Sequence, residues 1–291
     1  MHQRTISCHL SAIICSLFLF AACEKVALDE ISPETETPQT EVTTENLTLH
    51  VSQLQQSLCE CTHLNFAIYD MEGKRLMQKN QLLGDNSFGT VGLQLDKGTY
   101  QLVVLAHSST KNPTMTNLSK IQFNNSIGYT DTYLYYTTLA VTDEHQTVNL
   151  TLYHIASLCR FVISDHIPEG VTQMRFQYTG GSGHLNAQTG LGVTNSKQVV
   201  TRQVQAGQLY AVFDLYTFLH QQEGTIDLTA TALDAAGNVC YEWEFEIPMA
   251  QDRITWLNGL FFTDEDNPDL WLITPNVEFY NRWSQEVFYT Y

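Results

Sequence analysis

At 291 residues the chain is long for one small module and sufficient for two β-rich domains of roughly 110–140 residues each. Its 43% apolar and 11% aromatic content can build two cores, which excludes a wholly disordered chain. Fourteen Lys and Arg against 31 Asp and Glu give a formal charge of −17, which excludes a basic, phosphate-seeking surface, so no nucleic-acid partner is expected.

Residues 1–22 read as a secretory signal: Arg4 precedes an apolar run from Leu10 to Ala22. Spanning a bilayer takes about 20 apolar residues, and this run has 13. It ends in Phe20-Ala21-Ala22-Cys23, which resembles the lipobox of bacterial lipoproteins with Phe20 in place of the commoner Leu. The resemblance implies acylation of Cys23 as the new N-terminus and attachment to the outer membrane through it. Removing the signal takes away Arg4 and no acid, leaving 13 basic and 31 acidic residues, or −18. Residues 23–46, rich in Glu, Thr and Pro, should form an extended, self-repelling tether.

From Leu47 onward the dominant period is two. Leu47, Leu49 and Val51 alternate with Thr48 and His50 as a first strand. Leu64–Tyr69 runs to a turn at Asp70–Gly73 and on into Lys74–Gln78, and Leu93 and Leu95 lead through Asp96-Lys97-Gly98 into the strand Thr99–His107. About 25 polar residues follow, then strands over Tyr133–Val141 and Thr147–Tyr153 close a domain over 47–155. In 156–291, Cys159, Phe161 and Ile163 share one face, and Met174, Phe176 and Tyr178 alternate against polar neighbours. Tyr210–Phe218 and Thr225–Leu233 are strands, and Asp234–Asn238 is a hairpin turn. In Val239–Ile247 the odd-numbered residues Val239, Tyr241, Trp243, Phe245 and Ile247 should cover a core, with Glu242, Glu244 and Glu246 in water. Turn-punctuated strands without a long amphipathic helix predict an all-β protein of two tandem β-sandwiches.

No catalytic constellation emerges, and neither an enzymatic activity nor a cofactor is expected. Thr179–Gly183 is glycine-rich but lacks the G-K-[ST] of a phosphate loop, and no G-x-S-x-G or H-E-x-x-H occurs. Cys59, Cys61 and His63 hold the residue types of a metal trio, but the second zinc pair is missing, and alternate positions on one strand account for them. Asp264–Asp269 is acidic, yet the EF-hand positions for Gly and Glu hold Asp269 and Pro275, so no metal is expected there. After Cys8, Cys15 and Cys23, four cysteines remain (Cys59, Cys61, Cys159 and Cys240), too few for a disulfide framework, and their pairing stays open.

Arg160, Ile167-Pro168, Phe176–Ser182, Thr189-Gly190 and Asn195–Gln198 together resemble the second half of the fimbrillin-like and fimbrial-anchor lipoproteins of Bacteroidia type V pili. Leu64–Gly73 with Gly98–His107, and Ile247-Pro248 with Arg253–Thr255 and Asn258-Gly259, extend the likeness over about residues 47–263. The resemblance implies two transthyretin-like (Greek-key) sandwiches, a place on the cell surface, and partnership with other fimbrial subunits by β-strand addition. It also implies that stalk subunits are cut after a basic residue near the first strand by a trypsin-like protease. This chain departs there, with no Lys or Arg between Lys25 and Lys74. The expectation is therefore a minor or anchor subunit that keeps its first strand and its lipid.

The C-terminus supplies a candidate partner-binding strand: Val277, Phe279, Trp283, Val287, Phe288 and Tyr289. Two readings stay open: a last strand completing its own sandwich, which we favour, and a strand donated to a neighbour. A lipid-anchored adhesin or tip subunit is the functional alternative, with Trp256, Trp271, Trp283 and Tyr280 meeting a host glycan or protein.

Overall fold

The computed structural model describes residues 45–52, 61–124, 128–263 and 285–291, all within one compact unit, Thr44–Tyr291. They contain twenty strands and no α-helix. In the first half these are β1 (Leu47–Val51), β2 (His63–Tyr69), β3 (Arg75–Leu82), β4 (Thr90–Leu93), β5 (Gly98–His107), β6 (Ile121–Gln122), β7 (Thr132–Val141), β8 (Gln146–Leu150) and β9 (Tyr153–His154). The second half holds β10 (Ser157–Ile163), β11 (Gln173–Thr179), β12 (Gly181–Ser182), β13 (His184–Asn186), β14 (Leu191–Gly192) and β15 (Gln198–Gln203). It continues with β16 (Ala211–Leu219), β17 (Glu223–Leu233), β18 (Val239–Ala250), β19 (Arg253–Gly259) and β20 (Gln285–Thr290).

Alternation puts one face of each strand indoors, and two pairs of sheets close over the result. In the first half the sheet β4-β1-β8 faces β3-β2-β5-β7-β9 across Leu47, Leu49, Leu64, Phe66, Leu102 and Val104. In the second, β12-β16-β10-β19-β20 faces β15-β11-β17-β18 across Phe161, Met174, Phe176, Tyr178, Phe213 and Phe261.

Residues 108–124, polar in composition, contribute to a third core. Met115, Leu118, Ile121 and Phe123 cover the far face of β2 and β5 at Ala67, Tyr69, Val103 and Leu105. Leu185, Ala187 and Phe218 from the second half complete that core, and β6 pairs with β13 across the junction. Four apolar residues in an otherwise polar segment thus join the two halves.

One expected strand face differs. Ile247 of β18 is buried, but Val239 and Trp243 are 54% and 53% exposed and Tyr241 is also open. β18 is the edge strand of its sheet among the described residues, and beside Tyr241 and Trp243 the core is lined by Ala232 and Ala230 of β17. The acidic face, Glu242 and Glu244 included, lies in water as alternation requires.

Candidate partner-binding strands

β1 is the middle strand of its sheet, antiparallel to β4 and parallel to β8. Leu47 and Leu49 are fully buried and Val51 nearly so. Asn46 fixes the strand's entry: its amide donates to Leu95 O (2.8 Å) and its Oδ1 accepts from Leu95 N–H (3.0 Å). Ser52 Oγ closes the far end on Leu150 O (3.0 Å). Neither β1 nor the residues described beside it include a Lys or Arg.

Of the candidate C-terminal residues, Val287, Phe288 and Tyr289 lie on β20, whereas Val277, Phe279 and Trp283 are outside the described residues. So are Cys23, Cys59, the 264–269 acidic run, Trp271 and Tyr280. β20 pairs in parallel with β19, from Arg253–Gln285 to Asn258–Thr290, as the last strand of its sheet among the described residues.

Tyr291, just past β20, holds the strand to its own chain. Its N–H donates to Asn258 O (3.1 Å) and its hydroxyl to Val162 O (3.0 Å). Its ring lies 5.2 Å from Phe161 and 5.0 Å from Phe245, at the rim of the core. Burial raises its phenol pKa, so it stays a neutral donor. Gly259 makes the approach feasible, because a Cβ there would stand 2.4 Å from the Tyr291 carbonyl oxygen.

The two faces of β20 differ. Val287 and Tyr289 line a cleft of about 440 Å³ with Pro248, Met249, Thr255 and the Glu223–Arg253 rim. On the outer face a row of side chains crosses four strands in register: Asp214 on β16, Arg160 on β10, Trp256 on β19 and Phe288 on β20. Arg160 grips Asp214 with two bonds (2.6 and 2.8 Å), and its guanidinium lies 4.9 Å from the Trp256 ring centroid. That carboxylate keeps the guanidinium firmly charged. Trp256 stacks on Phe288 (5.6 Å, 17°) and its indole N–H donates to Glu286 Oε2 (3.1 Å). Phe288, 54% exposed, ends the row at the sheet edge. Arg160 stood out in the sequence only as part of a resemblance; its role depends on partners 54 and 96 positions away and had no local marker.

Elsewhere, Gly181 of the glycine-rich segment pairs in a short strand against β16, where a Cβ would strike Thr217 Oγ1 (1.8 Å). The glycine serves a close strand approach there. Cys61 and Cys159 are buried and Cys240 is exposed. His63 stacks on buried His107 (5.0 Å, 11°), and no group of residues suited to a metal ion occurs among the described residues.

A family model described as fimbrillin-A associated anchor proteins Mfa1 and Mfa2 matches residues 37–251. No curated protein matches the chain in sequence. Among solved structures, a candidate adhesin from Bacteroides ovatus is 15% identical with a TM-score of 0.47, covering 69% of this chain and 81% of its own. The fimbrial anchor protein Mfa2 from Porphyromonas gingivalis is 10% identical with a TM-score of 0.42, covering 68% and 80%. A fimbrial assembly protein from Parabacteroides distasonis is 14% identical with a TM-score of 0.37, covering 74% and 89%.

Proposed function

The chain belongs to the family of fimbrillin-A associated anchor proteins, and from that membership we propose that it is a non-enzymatic, lipid-tethered anchor subunit of a fimbria. On this reading Cys23 is acylated and holds the protein to the outer membrane, residues 23–46 are the tether, and the folded part divides at 155/156 into two sandwich domains. Other fimbrial subunits engage it by β-strand addition.

The observation that carries the proposal is the setting of β1. A central strand with three buried apolar residues is costly to remove, and no basic residue between Lys25 and Lys74 offers a trypsin-like protease a cut beside it. A subunit that keeps this strand ends a filament on its own side. The adhesin alternative is less favoured at Trp256, because both ring faces are taken, one by Arg160 and one by Phe288.

Mass spectrometry of the N-terminal peptide, comparing cell envelope with sheared filaments, tests this. Acylated Cys23 on an uncut chain, mostly in the envelope, is the expected result. A chain cut before or within Leu47–Val51 and abundant in filaments would make it a stalk or tip subunit instead.

A further inference from the structure

Among the described residues β20 is the last strand of its sheet, and its polarity is fixed. Because Tyr291 N–H bonds Asn258 O, the odd-numbered residues of β20 turn their main-chain groups toward β19. Glu286, Phe288 and Thr290 therefore direct their N–H and C=O groups to the outer edge. Unpaired edge groups of this kind select an extended strand and not a sugar or a helix.

Side chains specify what that strand should carry. The outer row runs carboxylate, guanidinium, indole, phenyl and stops at Phe288, whose one face rests on Trp256 while the ring remains more than half exposed. A guanidinium fits such a face, as Arg160 already does on Trp256. Glu286 stands two residues away on the same side, its Oε2 accepting from the Trp256 indole N–H, and adds negative charge beside Phe288. Val287 and Tyr289 open the cleft on the inner side, where apolar residues flanking that cation would fall.

We propose that the open edge of β20 accepts an extended segment of another polypeptide, in which an arginine lies opposite Phe288 and apolar residues flank it. A second copy of this chain is the poorer occupant, since each copy carries a formal charge of −17 and would bring Glu286 to Glu286's neighbourhood. The inference rests on the reading of the protein as a fimbrial subunit that partners by strand addition. It assigns β20 the part of acceptor while Tyr291 keeps that strand in its own fold.

The test is titration of the intact protein, followed by amide NMR, with acetyl-Thr-Thr-Val-Arg-Val-Thr-Thr-amide, whose valines fall on the face opposite the arginine, and with the same peptide carrying Glu in place of Arg. Shifts should centre on Glu286, Phe288 and Thr290, and the arginine peptide should bind about fivefold more tightly. Glu286→Lys should reverse that preference, and Phe288→Ala should abolish it in a protein whose spectrum stays folded. Equal binding of both peptides, shifts centred elsewhere, or no binding at millimolar peptide would overturn the proposal. Shifts that depend on protein concentration without peptide would overturn it in favour of a second copy. Absence of the protein from the envelope or from fimbriae would remove the anchor role while leaving the titration unchanged, so the two failures are distinguishable.

Discussion

His154 Nδ1 lies 2.7 Å from Asp252 Oδ1, joining the last strand of the first half to a turn of the second. The other ring nitrogen meets Asp131, which also accepts from Tyr133 Oη (3.2 Å). With a carboxylate oxygen at each nitrogen, both nitrogens donate and the ring is an imidazolium. Asp252 adopts φ of 56° to reach this position, and its N–H bonds Ala156 O (3.0 Å). The clasp therefore spans the junction that the third core also crosses.

This contact makes stability depend on pH. Burial opposes the charge, but the hydrogen bonds that His154 donates to Asp131 and Asp252 outweigh it and hold the His154 pKa above its ordinary 6.5. A raised folded-state pKa stabilises fully below 6.5 and loses that contribution as pH climbs through the folded value. His154→Gln should cost about 2 kcal/mol at pH 6, limited by the partial exposure of Asp252, and less at pH 9. Urea denaturation of both proteins across that range checks this; equal losses at both ends would refute a charged clasp.

Tyr291 should matter more than its place beyond the last strand suggests. Tyr291→Ala removes a ring from the Phe161–Phe245 contact and should cost about 3 kcal/mol. Gly259→Ala should displace the same residue from the other side, at about 1–3 kcal/mol. Both should speed proteolytic cleavage around β20. A double variant no worse than either single one would show that the two changes act on one contact.

The Arg160 row should behave as a unit. Arg160→Ala strips a partner from Asp214 and a cover from Trp256, and should cost about 1–3 kcal/mol at this partly exposed site. Arg160→Lys should recover only part, because an ammonium forms no bidentate pair and stacks less well. A double-mutant cycle with Asp214→Ala should return a coupling of about 1 kcal/mol; additive losses would mean the pair contributes little.

Retention of β1 has a chemical consequence as well. Trypsin acting on the folded protein should cut after Lys25 and leave β1 joined to the body, since the next basic residue is Lys74 in the β2–β3 turn. Leu49→Ala should cost about 2–5 kcal/mol, as for other fully buried leucines. A loss below about 1 kcal/mol would show β1 to be dispensable and would undercut its place in the anchor proposal.

The all-β class, the period-two strands and several turns followed from the sequence alone. Strand alternation is a local property, and the Asp234–Asn238 turn closes on itself through Asp234 Oδ1 and the N–H groups of Ala236 and Asn238. Aromatic richness likewise marked Val287, Phe288 and Tyr289. What those residues face was decided by tertiary structure, because a strand's period says which side chains share a face and not which distant strand lies beside it. Met115 and Phe123 became core only when Leu185 and Phe218 arrived from the second half. Trp243 stayed exposed on the edge strand β18, while its neighbour Ala230 on β17 went into the core. Arg160, Trp256 and Phe288 became one row only when two parallel registers, β10 to β19 and β19 to β20, aligned residues up to 128 positions apart.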